Sequence, residues 1–191
     1  MTIFLILAPY GAFASLMLLT SAKAGVFAAA AIGLAVIALD FIRGRSLKWL
    51  GAGSAILFAA LGLYLTLIDP SLGNSAVKLS VDTGIFAISL TSMLIGRPFT
   101  LQYAREAVAA ETAAMPGFLR ANYVITAAWT AAALVMMVAN LAMLYVPGLP
   151  LWLGLAIAFA ARNSAVYFTK WYPQYRKAKY GIAPAGAVPS T

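Results

Sequence analysis

Arg162 and Asp40 are the residues of this chain whose type and position best suit chemistry, because both lie inside strongly apolar runs. At 1.5 Å per helical residue, Arg162 lies roughly 17 Å from Leu151 and Asp40 about 21 Å from Val26. A charge that deep in an apolar helix should face the protein interior and have a partner. The positions predict a bidentate Arg162–Asp40 ion pair. An anion site or proton path at Arg162 is one alternative, and a side chain that snorkels past Asn163 is another.

Asp82 is a second polar residue that could act within an apolar surrounding. We expect it in the first turn of the fourth helix, where Ser80 can cap the helix and the helix dipole favours a carboxylate. Asn140, about 9 Å from the outer end of the fifth helix by its rise, could approach Asp82. That pair could bind a cation or donate to a solute, although Lys78, one turn earlier, argues against a cation site.

The chain has no histidine and no cysteine. Their absence removes the usual ligands of zinc, haem and iron–sulfur centres, together with cysteine nucleophiles and histidine bases. The sequence also lacks a phosphate-binding loop and a glycine-rich dinucleotide fingerprint. Glu106 and Glu111, on one short segment, are typical of a solvated face. We therefore predict no catalytic residue, no metal and no cofactor, and a protein that is not an enzyme.

The composition is that of a membrane protein. Hydrophobic residues make up 63% and charged residues 9% of the 191 positions, against roughly 45–50% and 25% in soluble domains. A spanning helix needs about 20 residues. We predict an all-α, polytopic membrane protein with six transmembrane helices over residues 1–172 and a basic, then flexible, cytoplasmic tail over 173–191. The predicted helices cover about 2–21, 26–43, 49–68, 79–95, 122–146 and 150–171.

The distribution of Lys and Arg between the loops predicts the orientation. With a cytoplasmic N-terminus, ten basic residues lie in inside segments and two, Lys23 and Lys78, in outside loops. Both termini are then cytoplasmic, and the net charge of +8 faces the anionic headgroups of the bilayer, with no need for nucleic acid as a partner. The inside set is Arg43, Arg45, Lys48, Arg97, Arg105, Arg120, Lys170, Arg176, Lys177 and Lys179.

Residues 96–121 form the longest polar interruption and connect the fourth and fifth predicted helices. Pro98 suits a first helical turn, and the apolar residues after it have helical spacing. We predict a short helix over about 98–114 on the cytoplasmic interface, ended by Pro116-Gly117; a linker that merely happens to be helical is the alternative. The residues that could contact lipid or a membrane partner are Arg97, Gln102, Arg105 and Arg120.

Short motifs follow one another between about residues 36 and 146. They are Asp40-Phe41-Ile42-Arg43 through Lys48, Leu63-Tyr64-Leu65 with Asp69, Lys78, Gly96-Arg97-Pro98 with Leu101-Gln102, Arg120-Ala121-Asn122, Ala128-Trp129, and Asn140 with Tyr145. In order and spacing this set resembles the intracellular septation protein A family of bacterial inner membrane-spanning proteins. The resemblance implies a multi-pass protein of the bacterial inner membrane that acts in cell-envelope maintenance or cell division by contacting other membrane proteins of that machinery, without catalytic residues.

Two functions are therefore open. The first is the non-enzymatic envelope or division role, carried by the 96–121 segment and the basic tail. The second is a small transporter or channel for a small solute or ion, which uses Arg162, Asp40, Asp82 and Asn140 inside the bundle. A water-accessible cavity that reaches Arg162 would favour transport, whereas an Arg162 sealed in an ion pair would favour the envelope role.

Overall fold

The structure, a computed structural model, describes residues 3–180 and consists there of eight α-helices without a strand. The predicted all-α class is confirmed. The helices are α1 (Ile3–Leu19), α2 (Ala22–Ile42), α3 (Trp49–Leu67), α4 (Asn74–Leu94), α5 (Phe99–Ala107), α6 (Ala110–Ala113), α7 (Pro116–Tyr145) and α8 (Leu151–Tyr180).

Four of these helices, α2, α3, α4 and α7, are long and apolar enough to cross a membrane. They contain 19 to 30 residues, and a hydrocarbon core about 30 Å thick requires about 20. The apolar part of α1, Ala8–Leu19, is shorter, and α8 is not among the four. The chain is thus compatible with a multi-pass membrane protein.

The structure differs from the predicted boundaries at α7 and α8. Pro116 begins α7, because the fixed φ of proline suits a first helical position whose N–H would have no helical partner. The helix α8 continues through Pro173 to Tyr180, with basic residues in its last turn that complement the helix dipole. The predicted tail is therefore helical as far as Tyr180, and residues 181–191 lie outside the described part of the chain.

The predicted interfacial helix is divided into α5 and α6, with Val108 in an extended conformation between them. A tight turn places α5 after α4: Gly96 has φ 76°, and the N–H of Arg97 donates to the Ser92 carbonyl at 2.9 Å. The N–H of Gly96 bonds the Met93 carbonyl at 3.0 Å. These two bonds form a Schellman motif, and its left-handed position favours glycine.

Helices that follow one another in sequence also pack together, α1 on α2, α2 on α3, α3 on α4 and α7 on α8, while α4 packs on α7. In the first half of the bundle the Phe58 ring is fully buried, 5.7 Å from the Tyr10 ring and 5.6 Å from the Phe13 ring, centroid to centroid. A Cβ on Gly25 would lie 2.7 Å from the Phe13 carbonyl oxygen. Glycine thus permits the close approach of α1 and α2.

Candidate functional site

A cavity of about 50 Å³, which we call the central cavity, lies in the bundle and is lined by residues of six helices. Its wall combines one cation with aromatic, aliphatic and hydroxyl side chains. The lining residues are Tyr10 from α1, Leu50 from α3, Ile85 and Ser89 from α4, Phe99 from α5, Trp129, Ala133 and Met136 from α7, and Arg162 from α8. The cavity therefore depends on the tertiary arrangement of nearly the whole chain.

Arg162 is the charged group of this wall. Its side chain is half-buried and forms no hydrogen bond or ion pair with another described residue. Within residues 3–180, no fully buried side-chain nitrogen or oxygen lacks a hydrogen-bond partner. The guanidinium nitrogens of Arg162 are therefore not fully buried, and they face open space that a water-sized molecule can reach.

The other polar groups of the wall have protein partners. The hydroxyls of Tyr10 and Ser54 are hydrogen-bonded to each other, and the Ser89 and Thr130 hydroxyls lie 2.6 Å apart. The indole N–H of Trp129 donates to Thr169 on α8 at 2.9 Å. Since these groups satisfy one another, Arg162 is the group of the wall that has strong donors to offer a ligand.

Asp82 and Asn140 form a second polar pair, between α4 and α7. Both side chains are buried, and the Asn140 amide donates to the Asp82 carboxylate. Lys78 and Arg162 are the cations that act on this carboxylate electrostatically. The structure therefore brings together three of the four predicted intramembrane residues, Asp82 and Asn140 in contact and Arg162 at longer range.

The predicted helix-capping role of Asp82 does not fit the observed start of α4. This helix begins at Asn74, so Asp82 lies in its third turn. The Ser80 hydroxyl donates to the Ala76 carbonyl at 2.9 Å, one turn back in the same helix. Asp82 is thus a buried interhelical residue instead of a terminal one.

The predicted Arg162–Asp40 ion pair is not formed. Asp40 is buried, and its carboxylate lies 3.6 Å from the Arg45 guanidinium. The turn after α2 explains this pairing, because Gly44 has φ 64° and the Arg45 N–H donates to the Asp40 carbonyl at 2.8 Å. The helix that carries Arg162 packs on α7, whereas α2 packs on α1 and α3. Arg162 and Asp40 were predicted to lie at similar depth, but the described helices that carry them are not packed against each other.

A partly buried ion pair that sequence reasoning missed joins the buried Lys48 at the start of α3 to the more exposed Glu106 at the end of α5. Lys48 is only 3% exposed, and its ammonium donates to Glu106 and, at 2.8 Å, to the Ser46 carbonyl. The ammonium also lies 6.0 Å from the centre of the Tyr103 ring. Burial raises the pKa of the Tyr103 hydroxyl, so the phenol stays neutral beside the pair.

A small cavity of about 30 Å³ adjoins this ion pair and includes Asp40, Lys48 and Tyr103 in its wall. Tyr10 and Leu50 line both this cavity and the one at Arg162. The two spaces are therefore neighbours. In the sequence, the only signal for this arrangement was the break in the apolar pattern around Lys48.

Hydrogen bonds fasten α5 to the ends of its neighbours. The Phe99 N–H donates to the Ser92 hydroxyl at 3.1 Å, and the Thr100 hydroxyl donates to the Asn122 carbonyl at 3.0 Å. The side-chain oxygen of Gln102 accepts from the Trp49 N–H at 2.6 Å, which satisfies a donor in the first turn of α3. Gln102 thus holds α5 to α3, and its predicted contact with lipid or a partner stays a prediction.

The three arginines predicted to contact lipid or a partner, Arg97, Arg105 and Arg120, are exposed. None of them forms a hydrogen bond or ion pair with another described residue. They lie on α5, on the turn before it and at the start of α7, so they mark the rim of the same end of the bundle.

The chemistry available at the central cavity is the binding of an anion or of water. A guanidinium in a low-dielectric interior is stabilised by an acceptor or a negative charge, and no protein carboxylate supplies one within ion-pair distance in residues 3–180. About 50 Å³ exceeds the ~10–15 Å³ that one water requires and is far below the ~300 Å³ of a typical small-molecule site. The described residues contain no cluster of three or more metal-binding side chains.

Comparisons with known proteins supply no further assignment for this arrangement. No protein-family model, no curated protein and no solved structure matches the chain. The family of the chain is therefore not identified, and the site has to be interpreted from its own geometry.

Proposed function

We propose that this chain is a non-enzymatic transport protein or channel of the bacterial inner membrane that binds a small anion beside Arg162. In this proposal α1 and α8 span the membrane together with the four helices that meet the length requirement, and both termini are cytoplasmic. The observation that carries the proposal is Arg162, which lines the cavity with guanidinium nitrogens open to water and has no carboxylate within ion-pair distance in residues 3–180.

The energetics of a buried cation favour an anionic occupant. Moving an ammonium- or guanidinium-sized ion from water into a protein interior costs several kcal/mol unless a counter-charge is present. Within residues 3–180, two cations have a carboxylate in ion-pair geometry: Arg45 is paired with Asp40, and Lys48 with Glu106. A mobile anion in the cavity would supply to Arg162 what these carboxylates supply to the other two cations.

The two cavities indicate a route for that anion. Lys48 lines the cavity that adjoins α5, and Arg162 lines the other. Tyr10 and Leu50 line both cavities, so in this proposal the anion passes beside these two side chains. In this proposal α5 closes the cytoplasmic end of the route. Phe99 lines the cavity at Arg162, and Gln102 and Glu106 hold α5 against α3.

The experiment is an anion-flux assay with the full chain in liposomes that contain a chloride-quenched dye. We expect chloride entry in the wild type and its loss in Arg162→Gln, which keeps a polar side chain but removes the charge. Arg43→Gln, a change of the same charge at an exposed residue, is the matched control and should conduct like the wild type.

Thermal unfolding in detergent, without chloride, shows whether each variant is folded. Equal chloride entry in Arg162→Gln and in the wild type would contradict the proposal, as would entry no faster than in protein-free liposomes. Loss of flux in the Arg43→Gln control would mean that overall surface charge, and not the cavity, governs the signal.

The role implied by the sequence resemblance is the second candidate, and the exposed arginines support it. Arg97 and Arg105 project from the end of the bundle where a membrane partner of the envelope or division machinery could contact them. The double change Arg97→Gln and Arg105→Gln should leave folding and chloride flux unchanged and reduce the co-purification of such partners. Unchanged co-purification would count against this role without affecting the transport proposal.

A further inference from the structure

A groove of about 230 Å³ lies at one end of the bundle, between the α5–α6 segment, the start of α7 and the end of α8. Part of the groove wall is apolar, and this part, which we call its apolar side, is formed by Val108, Met115, Phe118 and Pro173. The wall also includes the cations Arg176 and Lys177, which lie about one turn after Pro173 on α8. The groove is therefore amphipathic, as a lipid is.

The lengths of α7 and α8 place this groove near the membrane surface. Each helix has 30 residues, which corresponds to roughly 45 Å at 1.5 Å per residue, against a hydrocarbon core about 30 Å thick. Because the proposed function places both helices across the bilayer, both extend beyond its hydrocarbon core. Since Arg176 donates to the Gly117 carbonyl, the projecting end of α8 meets the projecting start of α7.

Aromatic residues on α8 mark the depth more closely. The rings of Phe168 and Tyr172 are stacked at 5.1 Å, and those of Trp171 and Tyr175 at 5.0 Å, centroid to centroid. Such clusters prefer the boundary between hydrocarbon and headgroups. Arg176 follows directly after them, so it lies at the level where lipid phosphates occur.

The position of the Arg176 guanidinium is fixed by a glycine. A Cβ at residue 117 would lie 2.7 Å from a guanidinium nitrogen, so Gly117 makes room for the side chain and its carbonyl accepts a hydrogen bond from it. A guanidinium held in one place is well suited to phosphate, because its planar donors match two phosphate oxygens. Lys177 adds a second positive charge at the same groove.

We propose that this groove binds one anionic phospholipid, with its phosphate at Arg176 and Lys177 and an acyl chain along the apolar side. The charge of the groove complements an anionic headgroup, and the bilayer supplies such lipids at the depth that the aromatic residues indicate. The site lies apart from the central cavity: no residue lines both. The inference rests on the membrane placement of α8 in the proposed function, but it does not depend on anion transport at Arg162.

Native mass spectrometry of the full chain in mild detergent tests this site, with dioleoyl-phosphatidylglycerol as the probe and dioleoyl-phosphatidylcholine as the neutral comparison. We expect a phosphatidylglycerol adduct that Arg176→Gln with Lys177→Gln weakens roughly tenfold or more, since two basic residues near the headgroup are lost. The control Lys23→Gln with Arg43→Gln removes the same charge from exposed residues outside the groove, and should weaken the adduct less than twofold, roughly the effect of general screening alone.

A second variant tests the apolar side without changing the charge. Ala121 lines the groove, and Ala121→Trp should fill it and also reduce the phosphatidylglycerol adduct. Three results would overturn the proposal. The first is an undiminished phosphatidylglycerol adduct in both groove variants, and the second is a loss of the adduct in the control as large as in the groove variants. The third is a thermal stabilisation of the protein by soluble glycerol 3-phosphate as large as that by phosphatidylglycerol. The second would indicate general surface charge, and the third a free phosphate as the ligand. Thermal unfolding without added lipid establishes that each variant is folded.

Discussion

Two regions of the bundle each contain a cation that is at least half-buried: the junction of α3 with α5, and the central cavity. The two regions differ in whether that cation has an ion-pair partner. At the junction, Lys48 is paired with Glu106 and bonded to the Ser46 backbone. At the cavity, Arg162 has no hydrogen bond or ion pair with another residue in the described part of the chain. Glu106 neutralises the first cation, whereas the second has no carboxylate within ion-pair distance in residues 3–180.

The difference separates stability from binding. Breaking a buried pair leaves one charge uncompensated, and that is costly. Removing a charge that has no ion-pair partner leaves no closely paired group behind, so its main effect should appear in ligand binding. If the comparison is correct, the variants with the largest effect on the free energy of unfolding should lie at the junction and those with the smallest at Arg162.

The largest loss is expected from Glu106→Ala, which leaves the Lys48 ammonium buried and unpaired. We expect the free energy of unfolding to fall by about 3 kcal/mol, measured by chemical unfolding in detergent micelles with tryptophan fluorescence. The double variant Lys48→Met with Glu106→Leu removes both charges and should recover most of that loss. A double variant as unstable as Glu106→Ala alone would mean that packing, and not charge, matters at this junction.

A smaller loss is expected at the Asp82–Asn140 pair. Asn140→Leu removes the donor to a buried carboxylate and should lower the free energy of unfolding by about 2 kcal/mol. Asp82→Asn, which is neutral and can still bond Asn140, should cost less. If both variants unfold like the wild type, Asp82 must be satisfied in another way, and the pair would not hold α4 to α7.

Gln102→Ala should cost about 1 kcal/mol, because it removes the acceptor for the Trp49 N–H in the first turn of α3. Gln102→Glu keeps an acceptor at that place and serves as the control. The same unfolding assay reports both variants. An equal loss in both would indicate that the length of the side chain, rather than its oxygen, fastens α5 to α3.

The smallest effect on stability is expected for Arg162→Gln in chloride-free buffer, below about 0.5 kcal/mol. Chloride should stabilise the wild type and not this variant, because a ligand that binds the folded state shifts unfolding by mass action. Thermal unfolding in sodium chloride and in sodium gluconate at equal ionic strength measures the difference. A loss of 2 kcal/mol or more without chloride would show that the fold itself already compensates Arg162, and the contrast with Lys48 would disappear.

Local sequence patterns were sufficient to predict some contacts of the site but not others. The depth of Arg162 in an apolar run predicted a side chain that faces the protein interior, and it lines the central cavity. The possible approach of Asn140 to Asp82 is present as a hydrogen bond. Asp40 was assigned the wrong partner, because a five-residue turn brings Arg45 to it and no helix has to be adjacent for that contact.

The sequence by itself determined the all-α class and the membrane-type composition, because apolar runs of helical length need only the rise of a helix and the thickness of a bilayer. Tertiary structure decided which polar groups meet. Lys48 and Glu106 are 58 residues apart, and a helical repeat carries no information about contacts at that distance. The same reason applies to the cavity at Arg162, whose wall comes from six separate elements and exists only after they have packed.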